Sequence, residues 1–134
     1  MLEHLEWYNM VKNKMFLSID TKERNKIEIG LFKNNQLKCF EFETDKQSED
    51  LLIAIDGILR KEKISLKDLA GILANLGPGS FTGSRVGITA ANTLAWALDI
   101  PVFGFKKENL DQILAKVANC KLRKFTKPLI PHYS

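Results

Sequence analysis

Apolar and polar residues alternate in three early stretches of the chain and then change period. Met15-Phe16-Leu17-Ser18-Ile19-Asp20 reads as a strand ending in a carboxylate. Lys26 to Phe32 follows, with Ile27, Ile29 and Leu31 set between polar neighbours. Lys33-Asn34-Asn35-Gln36 is a turn signal, and Leu37 to Thr44 predicts a third strand whose Glu41 and Glu43 mark a solvated face. Three short strands with tight connections form an antiparallel meander.

From Gln47 to Lys63 the spacing of Leu51, Leu52, Ile55, Ile58, Leu59 and Glu62 predicts a helix, with Ser48 or Asp45 able to cap it. Leu69 to Leu76 is apolar without alternation, as in a strand buried on both faces and parallel to the first. A glycine-rich turn leads into a second helix that runs to about Leu98, and Ile100 to Phe105 is another short buried strand. Glu108 to Ala118 predicts a third helix, and Lys121 to Ser134 a basic extended tail.

The order βββαβαβ predicts an α/β fold, a mixed five-stranded sheet with covering helices. Actin-like and sugar-kinase-like ATPases use two such lobes, and this chain supplies one lobe and a stub of the other. The expected organisation is an N-terminal extension over 1–14 with Met10 and Met15 as alternative starts, a lobe over 15–105, and a short helix with a basic tail over 106–134.

Composition adds three points. Hydrophobic residues make up 45% and charged residues 27%, which suits a packed core. The net charge of +4 comes from the tail: residues 106–134 carry 7 basic and 2 acidic side chains, against 13 and 14 before them. That cluster reads as a solvated tail ahead of an RNA-binding one. Cys39 and Cys120 lie in no metal-ligand spacing and suggest a reducing compartment. With no signal-peptide pattern and no apolar run long enough for a bilayer, a cytoplasmic protein without membrane contact is expected. His4 and His132 stand at opposite ends and form no catalytic pair.

The turn Gly77-Pro78-Gly79-Ser80-Phe81-Thr82-Gly83 lies between a buried strand and a helix, where α/β folds place ligand or partner contacts. Its spacing fits neither the Walker phosphate loop, since no lysine follows Gly83, nor the dinucleotide fingerprint, since the third glycine is one residue late. In the helix, Gly83, Gly87, Ala91 and Ala95 recur every four residues as a ridge of small side chains. Packing inside the chain and packing on a partner helix account for that ridge equally well. Arg85, one turn into the helix, opposes the macrodipole and calls for a carboxylate, with Asp20 or a partner's group as candidates. Trp96 and Phe81 read as core.

The stretch Gly77 to Gly104 (GPGSFTGSRVGITAANTLAWALDIPVFG) resembles the TsaB (YeaZ) family, with MFLSIDT, QSEDLLIAIDGIL and the terminal Pro-Leu-Ile-Pro-His-Tyr-Ser in support. The resemblance implies an actin-like, ribonuclease H-like fold of two lobes, of which this chain keeps one and a contracted stub of the second, with no catalysis, metal or cofactor of its own. It implies a non-catalytic subunit of the tRNA threonylcarbamoyladenosine complex, bound to a TsaD-like catalytic subunit through a bundle of its first two helices. A TsaE-like ATPase joins them, tRNA is met only through the complex, and self-pairing by the same face is an alternative. On this chain the implied interface is Leu51, Ile55, Gly83, Gly87, Ala90, Ala91, Leu94 and Ala95, and the motif loop is Gly77 to Gly83 with Arg85. Asp20 and Thr21 mark a degenerate nucleotide site, because Lys22-Glu23-Arg24 replaces the family's small residues there, and Gln47-Ser48 stands where the family favours His-Ser. The other reading is a stand-alone nucleotide-binding lobe of an actin-like ATPase, with Asp20 on the metal-nucleotide.

Overall fold

The computed structural model describes residues 15–33, 36–77 and 81–106, together with Gln112. The expected extension over 1–14, the third helix apart from the helical Gln112, the basic tail and Pro78, Gly79 and Ser80 of the motif lie outside these residues. Strands β1 (Met15–Asp20), β2 (Lys26–Lys33) and β3 (Gln36–Glu43) form the meander. Helix α1 (Gln47–Lys61) follows, then β4 (Leu69–Asn75), helix α2 (Phe81–Leu98) and β5 (Val102–Phe105). The sheet order is β3-β2-β1-β4-β5, antiparallel across the meander and parallel from β1 through β4 to β5.

The period-2 pattern decides which face of the sheet meets the helices. Leu17 and Ile19 of β1, Ile27, Ile29 and Leu31 of β2, and Ile72 and Ala74 of β4 point one way. They form one core with Leu51, Ile55, Ile58 and Leu59 of α1 and Ile88, Ala91 and Ala95 of α2. Removing these apolar side chains from water is the main stabilising term. β4 has no polar alternation because both of its faces are covered, and Leu73 on the second face is fully buried.

The helix ends depart from expectation. Neither Ser48 nor Asp45 caps α1: the N-cap is Lys46, without a side-chain bond. Instead Thr44 accepts the Lys46 N–H at 2.9 Å and donates to Asp50 Oδ2 at 2.6 Å, so the first turn is held from one residue further back. The helix stops at Lys61, short of Lys63, because Lys63 adopts φ 57°. Lys63 N–H then bonds Arg60 O and Ile64 N–H bonds Leu59 O, a Schellman closure built without glycine. Asp99, at φ 54°, closes α2 in the same way through Trp96 O and Ala95 O.

Candidate functional site

The parallel strands β1 and β4 end side by side, and their last residues are Asp20 and Asn75. Both are buried, so their polar atoms need partners. Asp20 Oδ2 accepts from Asn75 Nδ2 at 3.0 Å and Oδ1 from the Lys22 N–H at 3.0 Å. Asn75 Oδ1 in turn accepts the Gly77 N–H at 2.8 Å, an Asx turn that starts the glycine-rich loop. Gly77 has φ 99°, a conformation that favours glycine.

The hairpin after Asp20 is fastened to both helices. Thr21 is buried, and its Oγ1 accepts the Gly87 N–H of α2 at 2.9 Å. Gln47, the first residue of α1, is also buried. Its side-chain amide donates to Thr21 O at 3.2 Å, to Lys26 O at 2.7 Å and to Glu23 O. Asp20, Thr21, Gln47, Asn75 and Gly87 thus join two strand ends to two helices through hydrogen bonds. The arrangement positions elements. Among the described residues no group of three or more His, Cys, Asp or Glu gathers as a metal site.

The expected interface residues divide into two sets. Leu51, Ile55, Gly87, Ala91 and Ala95 are buried in the chain's own core, though Leu51 also lines the groove between the helices. The small ridge of α2 packs on the sheet: a Cβ at Gly87 would meet Thr21 Oγ1 at 2.6 Å and Ile19 Cγ2 at 3.3 Å. Close approach to Ile19 and Thr21 therefore explains the missing side chain at Gly87. Ala90 and Leu94 are half-buried and line the outer seam between the helices. There they meet Leu52, Val86, Thr89 and Thr93 around a groove of about 490 Å³. Leu52 is 58% exposed. Arg85 is exposed at the rim of the same groove, while the Asp20 carboxylate is engaged by Lys22 and Asn75. Beyond their helical backbone, Phe81, Thr82 and Gly83 lie outside the described residues.

Trp96 is not core. It is 85% exposed, because the arc of α2 that meets the sheet is taken by Gly87, Ile88, Ala91 and Ala95. Sequence reasoning also missed Leu52, Val86 and the roles of Asn75 and Gln47. Leu51-Leu52-Ile53 held a signal, since three successive helical residues cannot all face one core. Asn75, two residues before Gly77, held another.

These elements define a single lobe of the actin-like class, a mixed five-stranded sheet with a helix pair on one face. The family described as TsaD, tRNA N6-adenosine threonylcarbamoyltransferase, matches residues 41–130. The tRNA threonylcarbamoyladenosine biosynthesis protein TsaB of Bacillus subtilis is 47% identical over 49 residues, 37% of this chain and 21% of that protein. TsaB of Haemophilus influenzae is 30% identical over 92 residues, 69% of this chain and 39% of its own length. Among solved structures, YeaZ from Pseudomonas aeruginosa superposes with a TM-score of 0.64 at 25% identity, over 69% of this chain and 45% of that one. The chain belongs to the TsaB/YeaZ family, within the wider TsaD group. Its matches span less than half the length of these relatives. No helix among the described residues is long and apolar enough to cross a membrane.

Proposed function

We propose that this chain serves tRNA threonylcarbamoyladenosine biosynthesis as a non-catalytic subunit that supports a TsaD-like catalytic protein through the outer face of α1 and α2. The observation that carries this reading is the seam between the helices. Leu52, Val86, Ala90 and Leu94 give it an apolar floor, and small side chains at Ala90 and Thr93 leave room for a close helix–helix approach. An exposed apolar seam of this kind suits a partner's helices. The non-catalytic half of the reading is supported at the strand ends, where Asp20 and Thr21 are committed to bonds that hold β4 and α2. A TsaE-like ATPase would join the pair, and tRNA would be met only through the complex.

The test is light scattering on size-exclusion fractions of this chain, alone and mixed with the TsaD-like protein of the same source. A one-to-one complex that Leu52→Asp abolishes supports the proposal. A chain that pairs only with itself, or a complex indifferent to Leu52→Asp, refutes the assigned face. One observation favours the nucleotide-binding alternative: Asp20 and Thr21 lie at the carboxyl ends of parallel strands, where open α/β sheets take ligands. Saturable binding of ATP with magnesium, lost in Asp20→Ala, would establish it.

A further inference from the structure

The groove between α1 and α2 is not the only apolar surface of this lobe. We infer that the outer edge of β3, the terminal strand among the described residues, forms with the outer flank of α1 a second docking surface, and that its occupant is an extended segment of another protein with basic residues at alternate positions and apolar residues between them.

Three observations lead there. β3 is the terminal strand of the sheet, and nearly all of its residues are exposed or half-exposed along its length. It pairs with β2 on one side only among the described strands, so its other side offers a row of backbone donors and acceptors to an added strand.

Beside that edge lies an apolar groove of about 680 Å³, lined by Phe40, Phe42, Ile53, Ala54, Gly57 and Lys61 among others. Ile53 is 70% exposed and Phe42 36%. Gly57 is the notable member. It sits inside α1, where glycine weakens a helix, yet a Cβ built there meets nothing within 4 Å. Nothing among the described residues requires a small residue at that point. Another chain pressed against the helix would.

Charge identifies the occupant. On the face opposite the helices, Glu28 and Glu41 stand directly across from one another on β2 and β3, with the buried Asp20 of β1 behind them, and Glu43 follows on the same face. Like charges placed opposite are unfavourable. Lys26 is the cation there, and it is divided between Glu41 at 2.6 Å and Glu23 at 3.4 Å. At the other end of β3, Lys38 is 2.5 Å from Glu62, and the amines of Lys38 and Lys61 lie over the Phe40 ring. The edge is therefore acidic on one face and, on the other, apolar around Phe42 with Lys38 and Lys61 over Phe40. A strand alternates its side chains with period 2, so one with Lys or Arg opposite Glu41 and Glu43 and Val, Ile or Leu over Phe42 matches both faces. Nucleic acid has the wrong sign for the carboxylates. Charged edges also guard sheets against aggregation, but that role accounts for neither the gap at Gly57 nor the exposed Ile53.

The test uses three synthetic peptides with the intact chain: Lys-Val-Lys-Val-Lys-Val-Lys, its Glu-for-Lys counterpart, and the basic peptide with its central Val replaced by Pro. Calorimetry gives affinity and amide NMR shifts give location. The expected result is saturable binding of the basic peptide with shifts along β3 and at Gly57, weakened roughly tenfold or more by the proline, which cannot donate to the ladder. The Glu41→Lys, Glu43→Lys double variant should turn the preference toward the acidic peptide. Gly57→Leu should fill the notch and weaken binding to a similar extent while the circular dichroism spectrum stays folded. No saturation up to about 1 mM, equal affinity for the proline peptide, shifts confined to the α1–α2 seam, or indifference to Gly57→Leu would each overturn the inference. None of these outcomes depends on whether a TsaD-like protein binds the other face.

Discussion

Gln47 spends its side-chain amide on three backbone carbonyls, of Thr21, Glu23 and Lys26. A leucine there would keep the volume and strand those acceptors. Unsatisfied buried polar groups cost roughly 1–3 kcal/mol, so Gln47→Leu should lower stability by about that much, read as a fall in the urea midpoint. Gly87 gives the complementary case. A Cβ at this position would stand 2.6 Å from Thr21 Oγ1. Overpacking a tight core site costs typically about 1–3 kcal/mol, and Gly87→Ala should show a loss in that range even with no partner present. Thr21→Ala should recover part of it, since the two groups compete for one space, and a double-mutant cycle measures the coupling. Cys39 offers a titration. Cys39 is exposed on the edge strand, and the partial burial it does have raises its thiol above the ordinary value, with the Glu28 carboxylate adding to the rise, both by disfavouring the thiolate. Alkylation at Cys39, followed by peptide mass mapping, should therefore be slow near neutral pH and reach its midpoint above that of a free cysteine. Glu28→Gln should move the midpoint down without restoring the free value, because burial is the larger cause.

At the scale of elements, the sequence was legible wherever one periodicity ruled. The alternation in β2 and the apolar run of β4 identified a half-covered strand and a doubly covered one, and the meander and parallel crossovers follow from their order. The candidate site was legible in part, and α2 shows why. A ridge of small residues says that something comes close but not what, and at Gly87 the neighbours are Ile19 of β1 and Thr21 just beyond it. The face left outward carries Val86, Ala90, Thr93 and the exposed Trp96, a mixture that no apolar period marks. In α1 the run Leu51-Leu52-Ile53 splits three ways. Leu51 enters the core, Leu52 lines the seam with α2, and Ile53 lines the groove beside β3. Leu52→Asp should therefore leave folding almost unchanged, because the residue is largely exposed, and should still weaken a complex formed through the seam by roughly tenfold or more. Gly57→Ala should stabilise the isolated chain, by up to about 1 kcal/mol on helix propensity alone, read as a higher urea midpoint.

For the molecule as a whole, α1 is a partition between two surfaces. One flank joins α2 and the other faces the edge of β3, so a partner's helices and an added strand would approach from different directions. The two sets of lining residues share only α1, and sites without common partners behave additively. Occupancy of one surface should then leave the other available. The expectation is specific: Leu52→Asp should abolish the complex with a TsaD-like protein and leave binding of the alternating basic peptide unchanged, and Gly57→Leu should do the reverse. Titrating the peptide into the preformed complex, with light scattering to confirm that the complex stays intact, measures the coupling between them. An affinity within about twofold of that for the free chain means independent surfaces. A drop of roughly tenfold or more would mean that α1 moves when the seam is filled. The hydrogen bonds from Gln47 at the start of that helix would then be the place to look for the motion, because they are what fastens it to the sheet.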